Sequence, residues 1–330
     1  MILGMEKKAL RRMVLGFFIL ACCFSISSVG AQVKGYPNKT VEVILPVAPG
    51  GSSDIATRII TEELSRELKV PFVVTNHPGA AGLIGPSKVL KEKPDGYTLL
   101  SGGSSMMTFA IIQSPNPPYD PFRDFLPICS PGSAPIIFGV QKSSPFKTLP
   151  EFLDYAKKNP GKLTCGISSM GRELHLAFEL LRKAAGVNIK IVPYKGTGEA
   201  VSALLGKHID MMLLSYIGFL PYIKSGEARV LAITIKVPNS GIPTTAEIGY
   251  PQVNIRTQLG FYCSAKVPKE IYDRLVTLFQ GVLKNPEVAR KLESNGVVVQ
   301  YKNPEELTKD LREEWDIVSK LAEDIGLKSK

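Results

Sequence analysis

The sequence predicts an α/β fold, and three repeated strand-to-helix junctions are the main basis for that prediction. From Tyr36 onward, short apolar runs alternate with amphipathic runs, a pattern typical of an α/β protein with a mostly parallel sheet. At three places, within residues 41–57, 162–182 and 190–206, an apolar strand leads through small polar residues into a helix. With 330 residues, of which 44% are hydrophobic, the chain is long enough for about two domains.

The first 31 residues predict a secretory signal peptide. Basic residues come first, the apolar run "MVLGFFILACCF" follows, and Val29 and Ala31 occupy the small-residue positions before a cleavable bond. We therefore expect export and a periplasmic location. A membrane anchor is one alternative, but the apolar run is shorter than the roughly 20 residues that a spanning helix needs. A lipoprotein anchored at Cys22, which follows "ILA", is a second alternative.

The first junction reads "PVAPGGSSDIAT" over residues 46–57. A short β-branched strand precedes it, and from Ile55 the apolar positions recur at helical spacing. Its two glycines permit backbone torsions that other residues resist, and the first helical N–H groups are unpaired, so the junction can seat an anion. The alternative is that the serines and Asp54 only cap the helix.

The next elements follow the same logic. Residues 71–76 and 96–103 predict strands on either side of a short helix at 86–93, and Thr148 with Glu151 predicts a capping box for a helix at 149–158. Strands before Ser168 and before Tyr194 again lead through small polar loops into helices. These two junctions therefore repeat the arrangement of the first.

The remaining chain predicts one buried strand and two long helices. The run "HIDMMLLSYIG" at 208–218 is nearly continuous and apolar, as a strand buried on both faces would be. Helical spacing covers 269–285 and 304–326. Trp315 shares its spacing with Leu311 and Val318, so we interpret it as a core residue and not as a platform for a ligand.

Composition excludes several classes of function. Removing residues 1–31 lowers the formal net charge from +10 to +7, and no basic run is interleaved with aromatic residues, so we expect no nucleic-acid partner. The positive charge could assist anion capture or only aid solubility. Three separated cysteines, Cys129, Cys165 and Cys263, favour buried free thiols over a disulfide. With only three histidines, we expect no metal site.

Enzyme motifs are missing from the sequence. It contains no GxxxxGK[ST], no HExxH and no GxSxG. The run "GAAGLIG" from Gly79 to Gly85 resembles a dinucleotide-binding turn, but Ala81 replaces the glycine that lets the backbone approach a pyrophosphate. We therefore predict a protein that is not an enzyme and uses no cofactor. What remains is a set of Gly/Ser/Thr loops that could surround a carboxylate, which favours a binding protein. An exported enzyme is the less favoured alternative.

The chain resembles Bug/TctC-type solute-binding proteins, the extracytoplasmic receptors of tripartite tricarboxylate transporters. The resemblance rests on segments in a fixed order: "YPNKTVEVILPVAPGGSSDIATR", "PGAAGLIG", "KPDGYTLL", "PYDPFRDFLPI", "NPGKLTCGISSMGRELHLAFELL", "VPYKGTGEAVSALLG", "GEARVLAIT" and "PTTAEIGYP". Each fragment alone is weak. Together, over nearly the whole chain, they are specific.

The resemblance implies a two-domain periplasmic-binding-protein fold of type II, the Venus flytrap, with a ligand cleft between the domains. The chain would cross the hinge near Phe138 and near Phe261. One domain would then contain residues 36–138 plus 261–330, and the other residues 139–260. The expected ligand is a small carboxylate. The expected partner is a membrane permease or, alternatively, a signalling protein, and the receptor itself would be a monomer.

The resemblance also implies a set of ligand-binding residues. Backbone amides of the first strand-to-helix loop and its counterpart in the second domain would hold the carboxylate, while Asp54 would meet an amine or hydroxyl group of the ligand. The complete set is Pro49, Gly50, Gly51, Ser52, Ser53, Asp54, Gly79, Ala80, Ala81, Gly82, Ser104, Ser168, Ser169, Met170, Gly171, His175, Tyr194, Lys195, Gly196 and Thr197. Packing is the favoured alternative for His175, and simple solvent exposure is the alternative for Lys195.

Three departures from the family pattern bear on the ligand. His77 stands where the family usually has arginine, and Gln258 and Leu259 stand near the usual tryptophan before Gly260. The segment "TIKVPNSGIP" lacks the common arginine after its threonine. The last two departures flank the expected hinge and cleft, so they affect the predicted ligand class more than the fold.

Overall fold

A computed structural model of the chain describes residues 35–168, 170–324 and 326. The signal segment 1–31, with Cys22, and Ser169 therefore lie outside the described residues. The strands are β1 Val41–Leu45, β2 Phe72–Asn76, β3 Thr98–Gly103, β4 Phe125–Gln141, β5 Thr164–Ser168, β6 Lys190–Tyr194, β7 Met211–Ser215, β8 Ala228–Ile233, β9 Arg256–Ser264 and β10 Val298–Lys302.

The helices alternate with these strands. They are α1 Ser52–Leu68, α2 Ile84–Val89, α3 Phe109–Ile112, α4 Pro121–Asp124, α5 Leu149–Lys158, α6 Glu173–Ala185, α7 Thr197–Leu205, α8 Tyr216–Lys224, α9 Lys269–Leu283, α10 Pro286–Ser294 and α11 Pro304–Asp324. Short 3₁₀ turns at Ala80–Gly82 and Ser104–Met106 follow β2 and β3. The described residues from Pro37 onward group into one compact unit.

The strands form one mixed sheet of ten strands in the order β2-β1-β3-β9-β4-β7-β5-β6, with β8 and β10 also paired to β4. Pairs β1–β2, β1–β3, β5–β6 and β5–β7 are parallel. Every pair that involves β4 or β9 is antiparallel. The prediction of a mostly parallel sheet is therefore wrong at the centre of the sheet, because β4 and β9 run against their neighbours there.

Strand β4 connects the two parallel groups. Its residues from Phe125 to Pro135 pair with β9, whereas its residues from Ile136 to Gln141 pair with β7 and β8. One strand thus belongs to both halves of the sheet.

At Gly132, where φ is 145°, a side chain would collide with the carbonyl oxygen of Val298, so glycine lets β10 approach β4 closely.

Most predicted elements are confirmed, including β2, β3 and α5 with its N-cap Thr148, but the predicted capping box is only half formed because Glu151 accepts the N–H of Lys147 and not that of Thr148. The hydroxyl of Thr148 accepts the N–H of Glu151 at 3.3 Å.

The buried strand predicted within 208–218 is confirmed as β7, but it ends at Ser215, whose hydroxyl accepts the Gly218 N–H at 3.4 Å and caps α8. Helix α8 packs against the buried core, so its sequence is mostly apolar. A continuous apolar run of this kind resembles a buried strand.

Hydrophobic clusters of the described residues fill the space between the sheet and the helices. The largest contains Phe138, Phe152 and Phe178 and extends to Val318 of α11, and Trp315 packs against this cluster and against the one around Tyr262. Trp315 is therefore a packing residue, as predicted. The three cysteines within the described residues, Cys129, Cys165 and Cys263, are buried free thiols. Among the described residues, no helix combines the length and apolar character needed to cross a membrane.

Candidate functional site

The candidate site lies at the carboxyl ends of two groups of parallel strands. In the first group, Leu45 of β1 is in register with Asn76 of β2. In the second group, Ser168 of β5 is in register with Tyr194 of β6. The loops predicted to bind the ligand follow these strands, so each group brings its own loops to one edge, where ligands bind in open α/β sheets.

The first loop, Pro46–Asp54, ends in the amino terminus of α1. Gly51 is the N-cap, and the first backbone bond of the helix runs from the Ile55 N–H to the Gly51 carbonyl at 3.0 Å. The N–H groups of Ser52, Ser53 and Asp54 therefore precede the first intrahelical bond and point out of the helix end. With the positive end of the helix dipole, they form a place for negative charge.

Asp54 is buried, and both of its oxygens are occupied. Oδ2 accepts the Gly50 N–H at 3.0 Å, and Oδ1 accepts the side-chain amide of Asn76 at 3.0 Å. Arg58, one turn along α1, forms an ion pair with the same carboxylate at 3.0 Å. Burial alone would raise the pKa of Asp54, but the bonds from Arg58, Gly50 and Asn76 outweigh it and lower the pKa. In this arrangement Asp54 shapes the loop.

The second loop, Gly79–Gly82, has four successive residues in the left-handed region. The φ angles are 127° at Gly79, 45° at Ala80, 54° at Ala81 and 96° at Gly82. Two alanines in this region are strained, because a Cβ crowds the following carbonyl there. The turn is closed by the Gly82 N–H, which donates to the Gly79 carbonyl at 2.9 Å.

Ser104 begins the turn after β3 and is bonded to the C-terminal helix. Its hydroxyl donates to Oε1 of Glu314 at 2.8 Å, and the hydroxyl of Thr108 donates to the same oxygen at 2.9 Å. Burial of the Glu314 carboxyl, assisted by the charge of Glu173, raises the pKa of Glu314 to about 7 against the lowering effects of the two hydroxyls and Arg256. Glu314 lines a small cavity of about 110 Å³ together with Arg256 and Gln258.

The third loop, after β5, contains Ser168, Met170 and Gly171, with Ser169 outside the described residues. Ser168 is buried and Met170 is exposed. The Gly171 N–H donates to Nδ1 of His175 at 3.1 Å, so the neutral ring carries its proton on Nε2, 3.6 Å from Glu179. His175 is buried and holds this loop in place, which agrees with the packing alternative for this residue.

The fourth loop, Tyr194–Thr197, leads into α7. Gly196 is the N-cap of this helix, and the Lys195 N–H donates to Glu199 at 3.2 Å. Tyr194 packs against the core cluster around Phe219, whereas the side chain of Lys195 is exposed. The backbone here resembles the start of α1, because a glycine again precedes the free N–H groups of a helix.

Hydrogen bonds connect the loops of the two strand groups. Arg172, at the start of α6, donates to the hydroxyl of Ser105 at 2.9 Å, and the side-chain amide of Gln113 donates to the carbonyl of Gly171. The turn after β3 and the loop after β5 are thus in direct contact. Strand pairing relates the other two loops to these: β1 pairs with β3, which relates Pro49–Asp54 to the turn after β3, and β5 pairs with β6, which relates Tyr194–Thr197 to the loop after β5.

The sequence reasoning missed several residues that shape this region. Arg58 and Asn76 hold Asp54, Ser105 and Gln113 contact the opposite loop, and Glu314 bonds Ser104. Only Glu314 had a visible signal, because it lies three residues after Leu311 and four before Val318 on the apolar face of α11.

Two of the unusual residues are explained by their contacts. Nε2 of His77 lies 3.1 Å from the ammonium of Lys88. Gln258 is buried and donates to the hydroxyl of Ser130 at 2.6 Å. Within the described ranges, no group of three or more Asp, Glu, His or Cys residues is placed to hold a metal ion.

Comparison with known proteins identifies the family. The model of the tripartite tricarboxylate transporter family receptor, TctC, matches residues 56–327. The chain belongs to this receptor family. BugT of Bordetella pertussis is 30% identical over 294 residues, which cover 87% of this chain and 86% of BugT. A protein from the tcbD-tcbE intergenic region of Pseudomonas sp. strain P51 is 31% identical over 315 residues, or 92% of each chain.

Solved structures agree with this TctC assignment. A Rhodopseudomonas palustris protein with adipate has a TM-score of 0.81 at 28% identity, covering 88% of this chain and 98% of that one. MatC from the same organism, with bound malate, has a TM-score of 0.75 at 27% identity, covering 87% and 99%. This TctC chain therefore has the two-domain α/β fold of periplasmic binding proteins, as the resemblance implied.

Proposed function

We propose that this TctC family member is an exported receptor that binds a small carboxylate between its two domains and delivers it to a membrane permease. The relatives with adipate and with malate support a carboxylate as the ligand. For the domains we propose residues 36–138 plus 261–330 and residues 139–260. The change of partners along β4, between Pro135 and Ile136, supports a passage of the chain between two halves.

One observation carries this proposal: the loops of the two strand groups meet. The bonds from Arg172 to Ser105 and from Gln113 to Gly171 join the turn after β3 to the loop after β5. Loops that meet in this way can surround one small ligand. Because each group ends in helix N-termini with free N–H groups, both can offer donors to the same anion.

No ionised side chain is needed to hold the ligand in this arrangement. Backbone N–H groups and hydroxyls that enclose a carboxylate form charge-assisted hydrogen bonds, which strengthen as water is excluded. Closure of the two domains would then add the donors of one domain to those of the other. A permease that recognises the closed form could distinguish the loaded receptor from the empty one.

Thermal unfolding with a carboxylate panel tests this proposal. The protein without residues 1–31 would be refolded to remove trapped ligand and heated with mono-, di- and tricarboxylates, including adipate and malate. A ligand at 100 times its Kd stabilises the fold by about 2.7 kcal/mol, a clear rise in Tm. We expect a rise for one chemical class and none for neutral amides of the same acids. A panel without any shift contradicts the proposal.

The permease step needs a separate test. We expect the loaded receptor, but not the empty one, to support uptake of the same carboxylate by vesicles that contain the cognate permease. Binding without uptake, together with capture of a sensor protein by the loaded form only, would replace transport by signalling. Light scattering of the free and loaded protein checks the proposed monomer.

A further inference from the structure

Glu314 is an unusual residue for the middle of a packed helix. One oxygen of its carboxylate, Oε1, accepts hydroxyl protons from both Ser104 and Thr108, at 2.8 and 2.9 Å. These partners come from the turn after β3 and the residue before α3, about 210 positions earlier in the chain. The carboxylate therefore ties the C-terminal helix to a residue of the proposed ligand site.

The charged groups around Glu314 do not neutralise it. From β9, Arg256 faces the same cavity, but its guanidinium lies 3.5 Å from Asp310, which also pairs with Lys302. Glu313 shares the helix and the cavity wall. Among the described residues, no Lys or Arg nitrogen lies within 4.0 Å of the Glu314 carboxylate.

Tyr262 of β9 is a further titratable neighbour, because burial and then the charge of Glu314 raise the pKa of its hydroxyl. The start of α6 adds two charged residues. Glu173 acts on Glu314 as a like charge. Arg172 lies 3.6 Å from Glu173 and donates instead to Ser105. Nε of Arg172 and Oε2 of Glu173 are buried without a hydrogen-bond partner in the described part of the chain. The Glu314 carboxylate thus depends on two neutral hydroxyls for its hydrogen bonds.

The protonation state of Glu314 decides what Ser104 can offer to a ligand. An ionised carboxylate only accepts hydrogen bonds, so the Ser104 hydroxyl proton points to Glu314 and only oxygen lone pairs face elsewhere. Lone pairs repel a ligand carboxylate. When Glu314 is protonated, it can donate to the Ser104 oxygen, and the Ser104 O–H is then free to donate to a ligand.

Thr108 allows this exchange without losing a hydrogen bond. Its hydroxyl lies 3.0 Å from the Ser104 carbonyl as well as 2.9 Å from Glu314. If the proton of the Glu314 carboxyl is on Oε1, the Thr108 hydroxyl can donate to the Ser104 carbonyl instead of to Oε1. The network therefore has two hydrogen-bonding states that differ by one proton, and the Ser104 O–H is free for a ligand only in the protonated state.

We propose that Glu314 is a specificity-determining residue that acts through Ser104, so that binding of a ligand carboxylate is coupled to the uptake of one proton by Glu314. The proposal rests on the proposed function, since it assigns a carboxylate ligand to the space beside Ser104. In this proposal Glu314, on the C-terminal helix, affects ligand binding without touching the ligand. It also gives the receptor a preference for anionic ligands at lower pH.

The titration range of Glu314 supports this coupling. Burial raises its pKa to about 7, so the free receptor contains both forms near neutral pH. If only the protonated form accepts a carboxylate beside Ser104, raising the pH from 6.5 to 8.5 weakens binding by on the order of 20-fold. Adipate and malate stay largely ionised over this range, so their own titration contributes little.

Calorimetry with adipate and malate tests the coupling directly. Titrations at pH 6.5, 7.5 and 8.5 in buffers of different ionisation enthalpy give both the Kd and the number of protons taken up. We expect uptake to approach one proton per ligand at pH 8.5, with a Kd that rises steeply with pH. Constant affinity with no proton uptake overturns the proposal.

Three variants separate the possible routes. Glu314→Gln stays neutral with a donor and an acceptor, so its affinity should match that of the wild type at pH 6.5 and stay flat with pH. Glu313→Gln changes the neighbouring residue and should keep the pH dependence. Ser104→Ala should lose it. Proton uptake that survives in Ser104→Ala means that Glu314 acts by charge alone, which overturns the route through Ser104.

The two proposals fail in different ways. If neither adipate, malate nor any other carboxylate of the panel binds at any pH, the proposed function is wrong and this inference fails with it. If a carboxylate binds but Glu314→Gln shows the same proton uptake as the wild type, only the inference is wrong. Thermal unfolding without ligand, at each pH, shows whether the variants are folded.

Discussion

Buried carboxylates in this receptor have opposite roles, which their immediate partners decide. Asp54 has an arginine, an asparagine amide and a backbone N–H on its two oxygens, and these partners lower its pKa against the effect of burial. Glu314 has two neutral hydroxyls on one oxygen, and its burial raises its pKa to about 7. Donors with positive charge fix the ionised form, whereas neutral hydroxyls allow either form.

Asp54→Asn should destabilise the protein at pH 7 but not at very low pH. Because the pKa of Asp54 is lower in the folded state, its stabilising effect is present above pH 3.8 and is lost as the pH falls through the folded pKa. We expect a loss of about 1–3 kcal/mol at pH 7, since buried donors lose a charged acceptor. Urea unfolding at pH 7, and then at a series of pH values from 3.8 downward, measures how the difference in stability from wild type shrinks.

Glu62→Gln is the matched control for this change, because Glu62 is exposed on the same helix. Equal stability of Asp54→Asn and wild type at pH 7 would contradict the role of Asp54 in fixing the loop. Binding gives a second readout. A loop-shaping role weakens all carboxylates alike, whereas direct contact with the ligand weakens those with an amine or hydroxyl group more strongly.

Strand ends and helix starts are the elements that build the candidate site. Both α1 and α7 begin after a glycine N-cap without a side-chain capping bond, which leaves their first N–H groups to other acceptors. The loop before α6 is held differently, because His175 accepts the N–H of Gly171 and Gln113 donates to its carbonyl. This loop is therefore tied on one side to its own helix and on the other to α3.

Gly171→Ala should disturb the contact between the loops. A Cβ at Gly171, where φ is 77°, would collide with the side-chain amide of Gln113. At Gly186, where φ is 64°, nothing lies within 4 Å of such a Cβ. Both substitutions carry the left-handed backbone cost of about 1–2 kcal/mol, and Gly186→Ala is thus the control. Only Gly171→Ala should also weaken carboxylate binding, by at least tenfold in calorimetry. Equal affinities of the two variants would argue against the loop contact as part of the site.

The whole molecule has an uneven charge distribution. Residues 139–260 contain 15 Lys and Arg residues and 8 Asp and Glu residues. The rest of the chain after residue 31 contains 21 of each, so it has no net charge. The positive charge of the receptor thus belongs to one proposed domain. Such a field raises the local concentration of anions and accelerates their association.

Lys195→Glu should slow the association of a carboxylate with the receptor. Lys195 is exposed beside the start of α7, within residues 139–260, and Lys309→Glu makes the same change in net charge at an exposed position of α11. At low ionic strength we expect an association rate about threefold lower for the first variant and an unchanged rate for the second. Screening should abolish the difference at about 0.5 M NaCl. Stopped-flow kinetics measures the association rates. Equal rates for both variants would exclude electrostatic steering by residues 139–260.

The amino-acid sequence by itself determined the family, the fold class and most helices and strands, because apolar periodicity and glycine-rich junctions are local signals. It also placed the candidate loops after their strands. The two antiparallel strands at the sheet centre were not predicted, since strand direction depends on partners far away in the chain.

Only the tertiary structure decided which polar groups meet. Arg172 reaches Ser105, and Glu314 reaches Ser104, over separations of 67 and 210 residues. The periodicity of α11 could reveal that Glu314 shares a face with Leu311 and Val318, but not that Ser104 would be its partner. Such contacts depend on how whole elements pack, and a pattern read along the chain carries no information about packing across the fold.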